Sequence, residues 1–447
     1  MKFDFTKHRI LFFFFILFVV GNGTFLAIKF ASGYRIDFTT KTLKPNGILS
    51  ANSSPAGAQI FVDGILKTAT NSNLPLEPNK YLIEIKKEGF TPWKKELLIE
   101  KELVAFVDAF LFPLVPDLKP LTFSQVANPA ISPNNDRIAY AVPLSDPNAG
   151  LWVLDLSDSI FNLGRGPRQI AKSRSGADLA KTNYFWSPDS NQVVVEFSSP
   201  NRKYLLNPNQ LNQYSVLNDI TLTYKTLNDS WQNENNLKNK IKLKKLPLLM
   251  QEIVASQAAE LQFSPDNTKL LYTATASAEI PPNLIPPVVS SSTQKQNRKI
   301  EPNRLYVYDI KEDRNFEVPF NLPSPTPTPK ISKSKNTSSP SSLDTEFLIH
   351  NTADTPRWFP TSNHLVWIDN DKVVAYEYDG TNQTIIYSGS FIKPYVFVSP
   401  SSSRIIVLSE IDFALGNTPS PTQSVPKKQV TPTPTAPKAN LYSVSFR

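Results

Sequence analysis

The feature that most constrains this chain is a hairpin that recurs. Leu261 to Tyr272 reads as an apolar segment, a Ser264-Pro265-Asp266-Asn267 turn and a second apolar segment. Phe185-Trp186-Ser187-Pro188-Asp189 leads in the same way into Val193-Val194-Val195, and Ala130-Ile131-Ser132-Pro133-Asn134 into Ile138-Ala139-Tyr140. Trp358-Phe359-Pro360-Thr361 before Leu365-Val366-Trp367, and Val398-Ser399-Pro400-Ser401 before Ile405-Ile406-Val407-Leu408, complete the set. Proline presets φ for the second position of a type I turn, the Ser before it accepts the closing hydrogen bonds, and Asp or Asn after it bonds its own backbone. Such a motif is either a ligand-binding loop or a plain hairpin turn; the turn explains every residue in it, and we adopt that reading. Hairpins at a repeating period are the sequence mark of a β-propeller.

A third strand follows each hairpin, at Leu151–Leu156, Lys203–Leu206, Leu305–Ile310, Val373–Tyr376 and Leu441–Val444. Arg168–Ala171, Asn315–Val318 and Gln383–Ile386 read as fourth strands. This pattern resembles TolB-type and related WD40-like propeller repeats, and the resemblance implies a mainly β fold of about five blades over residues 114–447. The turn positions Ser132, Ser187, Ser264, Phe359 and Ser399 are spaced 55, 77, 95 and 40 residues apart. A blade takes about 40 residues, so the longer intervals carry insertions, near 218–257, 281–302, 322–344 and 416–438. The last three are Pro-, Ser- and Thr-rich and bury too little apolar surface to order themselves. The first is partly helical by pattern: Pro247 suits a first turn, and Leu249, Ile253 and Val254 share an edge. Because successive antiparallel strands reverse direction, all four insertions are expected on the face opposite the Ser-Pro turns. The last repeat lacks a fourth strand, and an orphan segment, Leu118–Phe123, precedes the first. That orphan is expected to complete the last blade.

At the N-terminus, Ile10 to Ile28 is free of charge and rich in Phe, Leu, Ile and Val. At about 1.5 Å per residue it spans roughly 28 Å, close to a bilayer's hydrocarbon core. Lys2, Lys7 and Arg9 precede it, the arrangement of a signal-anchor. Gly21 and Gly23 offer a signal-peptidase alternative, but the apolar run continues through Phe25-Leu26-Ala27-Ile28. We therefore read residues 1–9 as a cytoplasmic tail, 10–31 as a single transmembrane helix held in the cell membrane, and the bulk as extracytoplasmic. Residues 32–46 read as a polar linker.

From residue 47 the apolar period becomes two. Ala58, Ile60 and Val62 alternate with Gln59, Phe61 and Asp63, and Tyr81, Ile83 and Ile85 with Leu82, Glu84 and Lys86, the mark of half-buried antiparallel strands. Pro55-Ala56-Gly57-Ala58, Val62-Asp63-Gly64, Leu76-Glu77-Pro78-Asn79-Lys80-Tyr81, Glu88-Gly89-Phe90 and Trp93 follow in order. Together they resemble the PEGA domain family, with Ala56 where the naming motif has Glu and Asn79 where Gly is usual. The resemblance implies a small β-sandwich at 47–113 in an extracytoplasmic setting, and no chemistry.

Little else points to chemistry. Cysteine is absent and histidine occurs three times, at His8, His350 and His364, which removes thiolate catalysis and leaves no metal-ligand spacing. No nucleotide-binding, zinc-protease or serine-hydrolase fingerprint occurs, and Gly164-Arg165-Gly166 is too short to cradle phosphate. Asp63, Asp155 and Asp309 read as turn residues. No catalytic, cofactor-binding or metal residue is assigned, and no cofactor is expected. The one dense basic run, Lys238 to Lys245, reads as a solvated helix face. An external location argues against nucleic acid and leaves an anionic wall polymer or an envelope protein as the expected partner. The reading that results is an anchored binding or scaffold protein of the cell envelope. The alternative is a propeller enzyme acting on envelope glycan or peptide.

Overall fold

A long apolar run satisfies its backbone most simply as a helix, and Phe5–Ala31 forms one, α1. Its single amide, Asn22, turns back to donate to the Phe18 carbonyl at 2.8 Å. The computed structural model describes residues 5–31, 34–37, 42–157, 166–198, 201–286, 293–320, 355–410 and 438–446. Among them α1 is the one helix long and apolar enough to cross a membrane, with a mean hydropathy of 2.4 over Leu11–Ala31; a signal sequence meets the same test. The expected linker is not wholly irregular. Arg35–Asp37 pairs antiparallel with Thr42–Lys44, with Ile36 opposite Leu43 in the register.

The chain divides into two units. Met1–Phe112 with Pro286–Lys295 forms one, and Pro113–Ile285 with Gln296–Arg447 the other. The first contains a two-sheet sandwich. Gly47–Ser54 lies between Ser72–Leu76 and Val104–Phe110, the latter parallel to it. The facing sheet runs Ile65–Ala69, Gln59–Val62, Asn79–Lys86, Trp93–Ile99. The period of two delivers Ile60, Val62, Ile83, Ile85, Trp93 and Leu97 to one core.

The second unit holds five four-stranded antiparallel sheets in chain order. The first comprises Ala127–Ile131, Arg137–Val142, Gly150–Asp155 and Arg168–Lys172, and the second Asn183–Trp186, Val193–Ser198, Asn201–Leu206 and Asn218–Asp219. The third comprises Ala258–Phe263, Lys269–Ala274, Leu305–Asp309 and Arg314–Glu317, and the fourth Arg357–Trp358, His364–Asp369, Lys372–Glu377 and Thr384–Tyr387. Val396–Val398, Arg404–Ser409 and Asn440–Ser445 begin the fifth, and Asp117–Pro120 ends it. Central strands such as Lys269–Ala274 and Leu305–Asp309 are buried at every position. That is why they read as continuous apolar runs: both faces are covered. Ala139 and Val153 of the first sheet pack with Trp186 and Val195 of the second, and Tyr140 and Leu154 pack with Ile406 and Leu408 of the fifth. Leu271 and Val307 of the third pack with Leu365 and Trp367 of the fourth.

The recurring turn works as its residues predict. Ser132, Ser187 and Ser264 are buried, and each Oγ accepts a backbone N–H five residues on, from Arg137, Gln192 and Lys269 at 2.9–3.0 Å. The same hydroxyls donate to Asp136, Asp189 and Asp266. Burial alone would raise the Asp189 and Asp266 carboxyls, but the bonds from these serines and neighbouring groups hold both below the usual carboxylate range. Asn135, Ser190, Asn267 and Ser362 each take a left-handed conformation, φ between 57° and 63°. Two of these residues also join sheets. Ser190 Oγ accepts the Asn134 N–H and Ser362 Oγ the Asp266 N–H, both at 3.1 Å. Trp186 Nε1 donates to the Ala130 carbonyl at 3.0 Å, and Trp358 Nε1 to that of Gln262 at 3.1 Å. The first and second sheets are thus joined by the same bonds as the third and fourth.

The orphan segment does complete the fifth sheet. Leu118 lies opposite Val444 and Pro120 opposite Tyr442. The Leu121 N–H extends the ladder to Leu441 O at 2.8 Å, and buried Thr122 Oγ1 accepts the Leu441 N–H at 2.9 Å while donating to Asn440 Oδ1 at 3.1 Å. Phe123, expected to belong to this strand, is 83% exposed and lies beyond it.

The helical insertion leaves its sheet where expected, and the structure adds where its first helix lies. Residues 322–344 and 416–437 lie outside the described residues, as do 287–292 of the 281–302 insertion, whose base is a ladder of Ala278–Glu279 with Lys299–Ile300. The insertion at 218–257 contains two helices, α2 (Tyr224–Leu243) and α3 (Leu248–Gln257). It leaves the second sheet at the end opposite the Ser-Pro turns, yet α2 reaches Pro133 and Pro188 within them. A 20-residue helix is about 30 Å long, long enough to reach them along the sheet.

Two outcomes follow from this packing. Deleting Asn440–Arg447 is expected to raise amide exchange across all five sheets; a change confined to Asp117–Pro120 and Arg404–Ser409 would show that the last strand only trims the fold. Ser190→Ala and Ser362→Ala should each cost about 1 kcal/mol in urea unfolding, since each orphans one backbone N–H. Being far apart in sequence with separate partners, they should add.

Candidate functional site

Helix α2 is fastened at its ends. In its first turn Tyr224 meets the Phe185 ring edge-on, centroids 6.1 Å apart, and lies 4.6 Å below Lys203 Nζ. Burial raises the Tyr224 hydroxyl above its ordinary value despite Lys203, so it stays neutral at physiological pH. In its last turn Leu243 joins Met250, Val254 and Tyr272 in the core beside the third sheet.

Between those anchors, positions 228, 231, 232 and 235 form a stripe at helical spacing that faces the Ser-Pro turns of the first two sheets. A packing helix carries Leu or Ile in such a stripe. Here the residues are Asn228, Trp231, Gln232 and Asn235. Amides cannot close against an apolar wall without losing hydration they do not recover. The helix stands off, and a groove of about 280 Å³ remains. Its far wall is Pro133, Pro188 and the Phe185 and Trp186 rings.

The wall is rigid. Trp186 is fixed by its bond to Ala130, Phe185 by Tyr224, and the two proline turns by the Asn134–Ser190 bond. The helical side is chemically open: among the described residues the Asn228, Gln232 and Asn235 amides and the Trp231 indole N–H make no hydrogen bond. Among the described residues no ionisable side chain lines the groove.

The residues singled out in the sequence are elsewhere. Asp63 sits at φ 49° and accepts the Leu82 N–H at 2.8 Å. Asp155 lies 3.4 Å from both Arg137 and Arg168. Asp309 accepts the Lys311 and Glu312 N–H groups at 2.9 and 3.0 Å and lies 3.8 Å from Lys269. All three serve turns or ion pairs. His364 is buried with Nδ1 2.9 Å from Thr361 Oγ1; His350, Gly164 and Arg165 fall outside the described residues. In the basic run, Lys238 pairs with Glu234 at 2.6 Å, and Lys242 is held low by burial and by Lys245 and Lys238 while it lies over Phe263. Among the described residues no three His, Asp or Glu gather closely enough to hold a metal ion. Sequence reasoning missed the groove. Its available signal was a tryptophan among amides at spacings of three and four in an otherwise polar helix.

Comparison with known proteins adds one family match. Residues 46–110 match the PEGA domain, over the sandwich described above. No curated protein matches the chain. Among solved structures it is similar to a TolB from Agrobacterium tumefaciens, at 12% identity over 68% of this chain and 79% of that one, with a TM-score of 0.20. It is also similar to the Cps50 (Swd1) β-propeller domain of Myceliophteria thermophila, at 12% identity over 73% and 98%, TM-score 0.20. A TolB from Acinetobacter baumannii aligns at 12% identity over 73% and 56%, TM-score 0.16. At these scores the architecture of the second unit rests on its strand pairing and not on its neighbours. An apolar N-terminal helix followed by a PEGA domain fits a surface or envelope protein.

Proposed function

We propose that this chain is a membrane-anchored extracytoplasmic binding or scaffold protein of the cell envelope. In this reading α1 is the anchor, the PEGA domain a spacer, and the five sheets the blades of a propeller that carries the binding groove. The observation that carries it is the order of the chain: a helix of membrane-spanning length directly before a PEGA domain. The propeller reading is supported by the pairing of Asp117–Pro120 with Asn440–Ser445 and by the apolar contacts of the fifth sheet with the first. The binding reading is supported by a groove whose amides are free and whose wall is rigid, which is how small-ligand sites are built. The carboxylates Asp155 and Asp309 are committed to ion pairs and turns.

Orientation is testable because the chain has no cysteine. Lys67→Cys, in an exposed strand of the sandwich, should react with a membrane-impermeant maleimide in spheroplasts, and Lys2→Cys only after lysis. The reverse pattern would overturn the topology. A mature chain beginning after Ala31 would make α1 a signal sequence instead of an anchor.

A further inference from the structure

The groove's lining specifies a class of ligand. Among the described residues its walls combine flat aromatic and proline surfaces with three unbonded carboxamides and an indole N–H, and carry no charge. A carboxamide presents donors and an acceptor side by side. A pyranose ring presents the complement: an apolar C–H face, and a rim of hydroxyls each able to donate and accept. We propose that this groove binds a neutral saccharide, one or two rings of an oligosaccharide, with a ring face on Trp231 and hydroxyls on Asn228, Gln232 and Asn235. The proposal names the ligand of the binding head and rests on the binding reading above.

Three observations favour this class. The helical stripe facing the sheets is polar where packing calls for apolar residues, while Leu237 and Ile241 of the same helix point to solvent at 61% and 58% exposure. The inward amides are therefore not a by-product of a helix that is polar all round. An anionic polymer would need cations, and the lysines of α2 lie outside the lining. A proline-rich peptide also uses aromatic-lined grooves, but it needs a long one. About 280 Å³ lies at the small end of ligand cavities, roughly 300–1,000 Å³, and suits one or two rings.

The test uses the full chain in detergent with four neutral probes: chitotetraose, cellotetraose, maltotetraose and mannotetraose. Saturation-transfer NMR and a tryptophan-fluorescence titration report binding. At least one probe is expected to bind, with an affinity insensitive to salt because no charge is involved. Trp231→Ala should weaken it about tenfold or more, since it removes the aromatic face. Asn228→Ala and Gln232→Ala should each weaken it several-fold, and Leu237→Ala should leave it unchanged. Trp231→Phe keeps a ring face and should retain most of the binding, which separates a lost contact from a lost fold if Trp231→Ala melts early. Binding by none of the four probes, or undiminished binding by a folded Trp231→Ala, would overturn the proposal. So would Trp231-dependent binding of a Pro-Thr repeat peptide in place of the sugars. Binding in detergent is independent of membrane sidedness. Failure here leaves the anchored topology standing, and a reversed topology leaves the groove's ligand standing.

Discussion

The second unit depends on a strand contributed from its far end. Asp117–Pro120 has no partner near it in sequence and pairs with Asn440–Ser445. Without that ladder the fifth sheet would have three strands, and the Asn440–Ser445 backbone would lose its outer partner. Buried Thr122 finishes the seam with one hydroxyl that accepts from Leu441 and donates to Asn440. The apolar contacts between the fifth and first sheets, with Tyr140 and Leu154 against Ile406 and Leu408, need both sheets in place at once.

Within that frame the repeats are not equivalent. The Trp–carbonyl and Ser–amide bonds join sheets one to two and three to four. The interval between sheets two and three is where the helical insertion lies. Helix α2 is pinned at Tyr224 and Leu243 and held off between them by its own polar stripe. The groove exists because the stripe of α2 that faces the sheets is polar where a closely packed helix would be apolar.

Much of this was legible in the sequence because it rests on local chemistry. A Ser-Pro-Asp turn is specified by residues within five positions of one another, and so is the alternation that builds the sandwich core. The completing strand was legible for another reason: counting strands left one repeat short and one segment over. Sheet-to-sheet bonds were hidden, since Ser190 and Ser362 look like ordinary turn residues until the partners Asn134 and Asp266 are placed beside them. The path of α2 was not legible, because strand direction fixes where an insertion starts and not how far a helix carries it. The ladder at Arg35–Asp37 and Thr42–Lys44 is three residues a side, too short for its period to stand out.

The completing ladder also governs when the unit can form. Thr122 and Leu441 are 319 residues apart, and the entropy of joining chain ends grows only with the logarithm of the length between them. Relative to closing a single unit of about 40 residues, the whole span costs only about 2 kcal/mol more. Long Pro- and Ser-rich insertions are thus tolerated at almost no thermodynamic disadvantage. Kinetically the position is different. Contacts of such separation form late, and during synthesis Asp117–Pro120 waits as an unpaired edge until residues 440–445 have emerged. The Lys119 side chain and Pro120, both exposed on that strand, are the residue types that discourage an unpaired edge from recruiting a wrong partner in the meantime.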